Sequence, residues 1–260
     1  MQVLFRSIWL TLGLSLLSWI GASELEMPTA EVVINRRDLA AQQRGAATFF
    51  QYCAGCHSLK HMRYTDLAYH FGWYDKTGSA DSSMIFEYLN FINDNPASPI
   101  LTSLDPAHAA QWFGKMPPDL SLVIRSRSPQ WVEGMLKGFY PDPSKTIGVG
   151  NHMFPSQIAM PHVLIEREGW APYSLIEASP DRDHALLLKP SSEAHYNQVV
   201  SDLIHFLDYV AEPHRLQRET MGKYVLLFLV ALSCLNYLYY RSVWDDKESE
   251  EESNEEGEDS

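Results

Sequence analysis

The chain has 260 residues, a formal net charge of −13 and 45% hydrophobic residues, which is typical of a protein that folds around a core. Its three cysteines exclude a disulfide scaffold, and its acidic balance argues against nucleic-acid binding, which needs a basic surface. The charge is unevenly placed, because residues 245–260 contain ten acids and one lysine. We therefore expect an acidic, disordered tail over residues 242–260.

The N-terminus has the pattern of a signal peptide over residues 1–23. Arg6 supplies a positive charge, an apolar stretch runs from Ile8 to Ile20, and the small residues Gly21-Ala22-Ser23 offer a cleavage site. The alternative is an uncleaved N-terminal anchor. Both interpretations send the following chain across a membrane.

The elements between the two ends of the chain are predicted to be mainly helical. Helical composition, apolar spacing and prolines at helix starts are the signals used. The predicted helices cover residues 37–52, 82–93, 119–126, a segment from Pro129 onward, and 193–210. Residues 140–162 are rich in Gly and Pro and predict a long irregular loop of the kind that is often functional.

A membrane span is predicted near the C-terminus, over residues 222–241. The stretch Tyr224–Tyr240 has 17 residues without a charge. As a helix it covers roughly 25 Å of a hydrocarbon core of about 30 Å, and the long side chains of Lys223 and Arg241 can reach outward. The alternative is a buried core helix. A cleaved signal peptide would export residues 24–221 and leave the acidic tail in the cytoplasm, although the flanking positive charges weakly favour the opposite orientation.

Residues 53–57 form the motif C-x-x-C-H, the attachment signal for a c-type haem. Cys53 and Cys56 can each add to one vinyl group of the same porphyrin, and the imidazole of His57 can then reach the iron from one face. A thioredoxin-type disulfide would need a βαβ context, and a zinc site would need a second cysteine pair. The remaining thiol, Cys234, lies in the predicted span. The motif therefore predicts one covalently bound haem c.

Electron transfer favours a second strong axial ligand, and a methionine sulfur raises the reduction potential of the iron. Met116 and Met160 each precede a proline, and Met153 stands near two glycines, so spacing leaves these three candidates open. The other methionines weighed are too close to the motif or lie in predicted helices: Met62, Met84 and Met135. Histidines that could serve instead are His152, His162, His195 and His205.

Two arginines follow the Pro-Pro pair at residues 117–118 and could bind the haem propionates. Arg125 and Arg127 both carry the planar fork that binds a carboxylate at two points. The alternative is that both are solvated surface side chains.

Four ordered motifs together resemble the cytochrome c1 family, the haem subunit of the ubiquinol–cytochrome c reductase (bc1) complex. They are RGAATFFQYCAGCHSL, PPDLSLVIRSR, GFYPDPSKTIGVGNHMFPSQIAMPHVL and FLDYVAEPHRLQRETMG, and the resemblance covers roughly residues 30–244. It implies a mainly α fold, with a cytochrome c-type haem domain carrying insertions and one C-terminal transmembrane helix. The acidic tail and residues 71–112 carry none of the motifs.

The resemblance also implies a set of site residues. The implied roles are covalent haem attachment for Cys53 and Cys56, axial iron ligation for His57 and Met160, propionate binding for Arg127, and haem packing for Pro118. Met160 is selected because the family places its methionine before a proline and after a Phe-Pro pair, which matches Phe154-Pro155 and Met160-Pro161.

The function implied by the resemblance is electron transfer, with quinol chemistry on a partner chain. Electrons would pass from a Rieske iron–sulfur protein through this haem to a soluble cytochrome c. Cytochrome b would be a further partner, in a dimeric complex in the bacterial inner membrane with the haem domain on the periplasmic side. The alternatives are a stand-alone membrane-anchored electron carrier and a gas-binding haem sensor with one open axial position.

Overall fold

The computed structural model describes residues 33–89, 95–145, 147–156, 158–168 and 193–258, with side chains up to residue 244. The predicted signal peptide lies outside these ranges. The helices are α1 Leu39–Tyr52, α2 Tyr64–Phe71, α3 Ser82–Tyr88, α4 Pro106–Phe113, α5 Val123–Arg127, α6 Pro129–Lys137, α7 Ile165–Glu168, α8 Glu193–Ala211 and α9 Arg215–Glu258. The strands are β1 Leu59–Arg63, β2 Pro99–Ile100, β3 Phe139–Pro141 and β4 Val149–Asn151, paired antiparallel as β1–β2 and β3–β4.

The helices with the clearest local signals lie where the sequence predicts them. Helix α1 begins after Asp38, whose carboxylate accepts a hydrogen bond from the amide of Ala41 at 2.9 Å. Helix α6 begins with Pro129 after Ser128, whose side chain caps the helix. Helix α8 ends at Ala211, and Pro213 follows after Glu212. Helix α3 ends at Tyr88, and the rest of its predicted length falls largely on residues 90–94, outside the described ranges.

The predicted helix over 119–126 is wrong at its start, since α5 begins at Val123. The preceding segment instead binds the first strand. The Asp119 carboxylate accepts from the amide of Lys60 at 2.8 Å, and the amide of Leu120 donates to the Ser58 carbonyl at 2.9 Å. These long-range bonds hold the backbone out of a helix and bring residues 117–121 beside the C-x-x-C-H motif.

The segment predicted as an irregular loop, 140–162, contains part of a short hairpin. Strands β3 and β4 pair Tyr140 with Gly150. A Cβ atom at Gly150 would lie 2.3 Å from the Tyr140 ring, so glycine is needed for the ring to cross the partner strand. The hairpin gives the segment a fixed base, from which residues 152–162 lead to the pocket described below.

The core is centred on the packing of α1 against α8. Gly45 allows the two backbones to approach closely, because a Cβ there would lie 2.0 Å from the carbonyl oxygen of Asp202. Beside this contact the buried rings of Phe49 and Phe206 have centroids 5.7 Å apart. The carboxylate of Asp202 accepts two hydrogen bonds from the guanidinium of Arg44, at 2.6 and 2.8 Å. Helix α1 is therefore held firmly along the length that leads into Cys53.

Helix α9 contains a candidate membrane span, Arg215–Trp244, of 30 residues with no part of its most apolar window buried. The helix continues to Glu258, through residues that the sequence led us to expect as disordered. Glutamate and lysine are good helix formers, and a helix that is already formed extends without a nucleation cost.

Glu212 connects this terminal helix to the body. Its carboxylate pairs with Arg125 of α5 at 2.6 Å, with Arg215 at 3.8 Å, and also with Arg218. Since Arg215 and Arg218 belong to α9, one carboxylate joins the start of the candidate span to the short helix α5.

Candidate functional site

The C-x-x-C-H motif folds into a tight turn at the end of α1. The amides of Cys56 and His57 both donate to the carbonyl oxygen of Cys53, at 3.0 and 2.8 Å. Cys53 is buried and Cys56 is half-buried. Burial, with a smaller contribution from the neighbouring Cys56 thiol, raises the pKa of Cys53 to about 12. The turn therefore brings both sulfurs and the imidazole to one side of the helix end.

The orientation of His57 is fixed by the chain that precedes α5. Its Nδ1 lies 2.7 Å from the carbonyl oxygen of Pro118, so Nδ1–H donates and Nε2 keeps its lone pair. Burial lowers the pKa of His57, against the opposing effects of the Pro118 carbonyl and the Asp119 charge. The neutral imidazole that results is the form that binds a metal.

Both cysteines and His57 line one pocket, whose empty space is about 570 Å³ when the part open to solvent is included. Its other wall residues are Tyr52, Phe113, Lys115, Pro117, Ala159, Met160, Pro161 and Val163. The walls are mostly apolar, as the walls of cofactor pockets are. Two thiols at one edge, an oriented imidazole and a methionine on the same pocket fit a covalently bound haem.

Met160 lines this pocket, whereas the two other methionines left open by spacing do not. Met116 is 38% exposed, and Met153 lies beside Asn151, whose side chain accepts from its amide at 2.9 Å. Met62 is buried on β1. Among the methionines in the described ranges, Met160 is thus the one that faces the same space as His57.

The histidines considered as alternative ligands do not line the pocket. His162 is buried, with Nε2 at 2.5 Å from a Glu168 carboxylate oxygen and its ring stacked on Phe139 at a centroid distance of 4.7 Å. His205 accepts from a backbone amide through Nε2 and contacts the carbonyl oxygen of Ser201 through Nδ1. His152 stacks on the Tyr140 ring. These contacts attach His152, His162 and His205 to the scaffold.

The two candidate propionate partners differ in their surroundings. Arg125 is paired with Glu212 at 2.6 Å. Arg127 is exposed, and its guanidinium lies 5.3 Å from the centroid of the Trp131 ring. Within the ranges that the structure describes, no carboxylate pairs with Arg127. Neither arginine is among the residues that line the pocket.

Several parts of the site carry no signal in the sequence that identifies them. The carbonyl of Pro118 contacts His57 and Pro117 lines the pocket, two roles that the sequence does not predict, while haem packing by Pro118 stays a prediction. Tyr52 and Phe113 were not singled out as walls, although Tyr52 directly precedes the motif. Arg167, which donates to the Tyr52 hydroxyl at 2.9 Å, lies 115 residues away and carries no local signal.

A pocket lined by two thiols, an imidazole and a thioether is typical of a c-type cytochrome, and the candidate span fits a membrane-anchored one. The chain matches the family model of the Cytochrome C1 family over residues 29–247. It therefore belongs to the cytochrome c1 family and carries one covalently bound haem c. The family also makes it a haem electron-transfer subunit of a bc1-type complex.

Three relatives illustrate the range of the family. Cytochrome c1 of Allochromatium vinosum is 39% identical over 221 residues, which cover 82% of this chain and 87% of the relative. The ammonia monooxygenase gamma subunit of Nitrosomonas europaea is 31% identical over 227 residues, 86% of this chain and 91% of the relative. Cytochrome b/c1 of Bradyrhizobium diazoefficiens is 26% identical over 243 residues, 80% of this chain and 34% of the relative.

These findings confirm the predicted mainly α fold, the resemblance to the family and the single haem c. The residue roles within the site remain predictions.

Proposed function

We propose that this chain carries electrons from a Rieske iron–sulfur protein to a soluble cytochrome c, through a haem iron bound by His57 and Met160. One observation carries the proposal: Met160 lines the same pocket as an imidazole whose Nε2 is left free for a metal. Covalent links from Cys53 and Cys56 would hold the porphyrin in this pocket.

The chemistry that the haem supplies is one-electron transfer at the iron. His57 and Met160 would supply two protein ligands to the iron, and a thioether ligand would favour the ferrous state. The chain contributes the ligands, the apolar walls and the bond from Pro118 that orients His57. These features suit a carrier better than a gas sensor, which needs one open axial position.

The proposed binding of a haem propionate by Arg127 is supported by a comparison of its contacts with those of Arg125. Arg125 is engaged with Glu212, whereas the guanidinium of Arg127 contacts an aromatic ring and retains its hydrogen-bond donors. Pro118 is proposed to pack near the haem in addition to accepting from His57.

The proposed setting is the bacterial inner membrane. We place residues 1–23 in a signal peptide, 24–221 in the periplasm, 222–241 in the membrane and 242–260 in the cytoplasm. The candidate span Arg215–Trp244 supports a single crossing. The name cytochrome b/c1 of the Bradyrhizobium relative supports cytochrome b as a partner, and the complex is proposed to be dimeric.

The test is isolation of the tagged chain from its native membranes in a mild detergent. A reduced-minus-oxidised spectrum should show b-type and c-type haem together, with an iron–sulfur subunit on the gel. The purified complex should reduce a soluble cytochrome c when quinol is added. A lone c-type spectrum would support the stand-alone carrier, and a monooxygenase subunit in place of cytochrome b would support the role named for the Nitrosomonas relative.

A further inference from the structure

We infer that Arg167 is a positioning residue for the Met160 ligand, because it fastens the segment that follows Met160 to the helix that carries the attachment cysteines. The inference deepens the proposed function and rests on Met160 being the axial ligand. It assigns a role to a contact that no motif in the sequence indicates.

The contact has three components at the end of α1. Arg167 Nε donates to the hydroxyl oxygen of Tyr52 at 2.9 Å, and Nη2 donates to the side-chain oxygen of Gln51 at 3.3 Å. The guanidinium carbon also lies 5.4 Å from the centroid of the Tyr52 ring. A planar guanidinium can stack and donate at the same time, which the ammonium of a lysine cannot do.

The position of Tyr52 makes this contact relevant to the iron. Tyr52 lines the haem pocket and directly precedes Cys53, the first attachment residue. Arg167 lies on α7, in the segment that leaves the pocket through Met160, Pro161 and Val163. The contact therefore joins the two sides of the pocket across 115 residues of sequence.

Two other contacts of the described part of this segment hold it by different means. His162 and Glu168 pair with each other within the segment, at 2.5 Å. Leu164 is buried in the core and anchors the segment through apolar packing. Because Leu164 remains in place, we expect an Arg167 variant to fold while the distance between Met160 and the end of α1 becomes less restricted.

The test measures how easily an added ligand displaces the methionine. The full-length, haem-containing protein in detergent is oxidised and titrated with imidazole, and the loss of the sulfur-to-iron absorption is followed. Arg167→Met should bind imidazole about tenfold more tightly than the parent protein, since bonds that hold the loop closed are lost. Tyr52→Phe should also strengthen imidazole binding. In the double variant Arg167→Met with Tyr52→Phe, the change in binding free energy should be smaller than the sum of the changes in the two single variants.

Arg44→Met is the matched control. It removes an arginine that makes two hydrogen bonds to Asp202, between the same helix α1 and α8. Its melting temperature should fall while its imidazole affinity stays at the parent value. A fall in melting temperature without a change in imidazole affinity is also what a purely structural role of Arg167 would give.

Two results would overturn the inference, and they differ in what else they affect. Parent-like imidazole affinity in both Arg167→Met and Tyr52→Phe, with the sulfur band lost in Met160→Leu, would refute the role of Arg167 and leave the ligand assignment standing. A sulfur band that persists in Met160→Leu would refute the ligand assignment and the inference together.

Discussion

The two sides of the haem pocket are built by different means. His57 is placed by five consecutive residues at the end of a packed helix, with two amides closing onto the Cys53 carbonyl. Met160 comes from a segment with little regular structure, held by contacts such as those of Arg167 with Tyr52 of α1 and of Lys145 with the carbonyl oxygen of Ser156. The position of His57 in the chain is therefore specified locally, with one long-range bond from its ring to the Pro118 carbonyl, whereas the position of Met160 depends on the completed fold. Variants that loosen each side separately can test this difference.

The largest effect on stability is expected from Gly45→Ala, in helix α1 on the side of the pocket that carries His57. The new Cβ would lie 2.0 Å from the backbone oxygen of Asp202, and a backbone cannot move aside as a side chain can. We expect a loss of about 3 kcal/mol in the free energy of unfolding, measured by denaturant titration of the haem-containing protein. Gly222→Ala is the control and should be nearly neutral, because outside the adjacent residues and the nearby backbone of its own helix nothing would lie within 4 Å of the new Cβ. Equal stability of both variants would show that the α1–α8 contact is looser than described.

A smaller effect on stability is expected from Gly150→Ala, in strand β4 at the base of the segment that carries Met160. Here the added Cβ would meet the Tyr140 ring at 2.3 Å, and the ring can turn away. We expect a cost of about 1.5 kcal/mol, measured in the same titration. Replacing the ring as well, in Gly150→Ala with Tyr140→Leu, should relieve part of the cost of the first change. Absence of any such coupling between the two changes would argue against the ring as the obstacle.

The stability of the His57 side should also depend on pH through His70. Its ring stacks on Tyr209 at a centroid distance of 3.6 Å and lies 2.6 Å from the Gln42 side chain of α1. Burial lowers the pKa of His70 to about 4, so the unfolded chain takes up this proton first as the pH falls. Its contribution is thus constant above the unfolded pKa of about 6.5 and is lost progressively towards pH 4.

The measurement is the melting temperature of the parent protein and of His70→Phe at pH 7.5 and 5. The parent should lose more stability than the variant, by about 1 kcal/mol after allowance for partial exposure. An equal loss of stability in the parent protein and in His70→Phe would mean that His70 has the same pKa in the folded and the unfolded chain.

The smallest effect is expected from Lys145→Met. The ammonium donates to the carbonyl oxygens of Pro155 and Ser156, at 3.2 and 2.9 Å, in an exposed position. Exposed contacts of this kind contribute about 1 kcal/mol or less. We expect little change in unfolding but faster protease cleavage within residues 152–158. Lys137→Met, which breaks an i,i+4 pair with Glu133, is the control and should leave cleavage there unchanged.

The same contrast explains what could be predicted from sequence. The start of helix α1 is set by the capping residue Asp38, and the start of helix α6 by Pro129. The place of His57 is set by the motif that contains it. Each of these features is therefore determined by residues a few positions away. The start of α5 was placed too early, because Asp119 and Leu120 bind β1 instead.

The choice among the loop methionines shows the limit of local signals most clearly. Spacing left Met116, Met153 and Met160 open, and the family pattern was needed to choose one of them. The structure separates them because only the folded chain shows which side chain reaches the pocket of His57, among the residues it describes. The contact of Arg167 with Tyr52 had no counterpart in the sequence at all.

The most direct measurement is the near-infrared and visible absorption of the oxidised protein, with its reduction potential, in a series of three substitutions. Met160→Leu should lose the sulfur-to-iron band and lower the potential by an amount on the order of 0.2 V, while the haem stays covalently attached. Met116→Leu and Met153→Leu should keep both properties. A Met160→Leu protein with the parent band and potential would contradict the assignment of Met160 opposite His57.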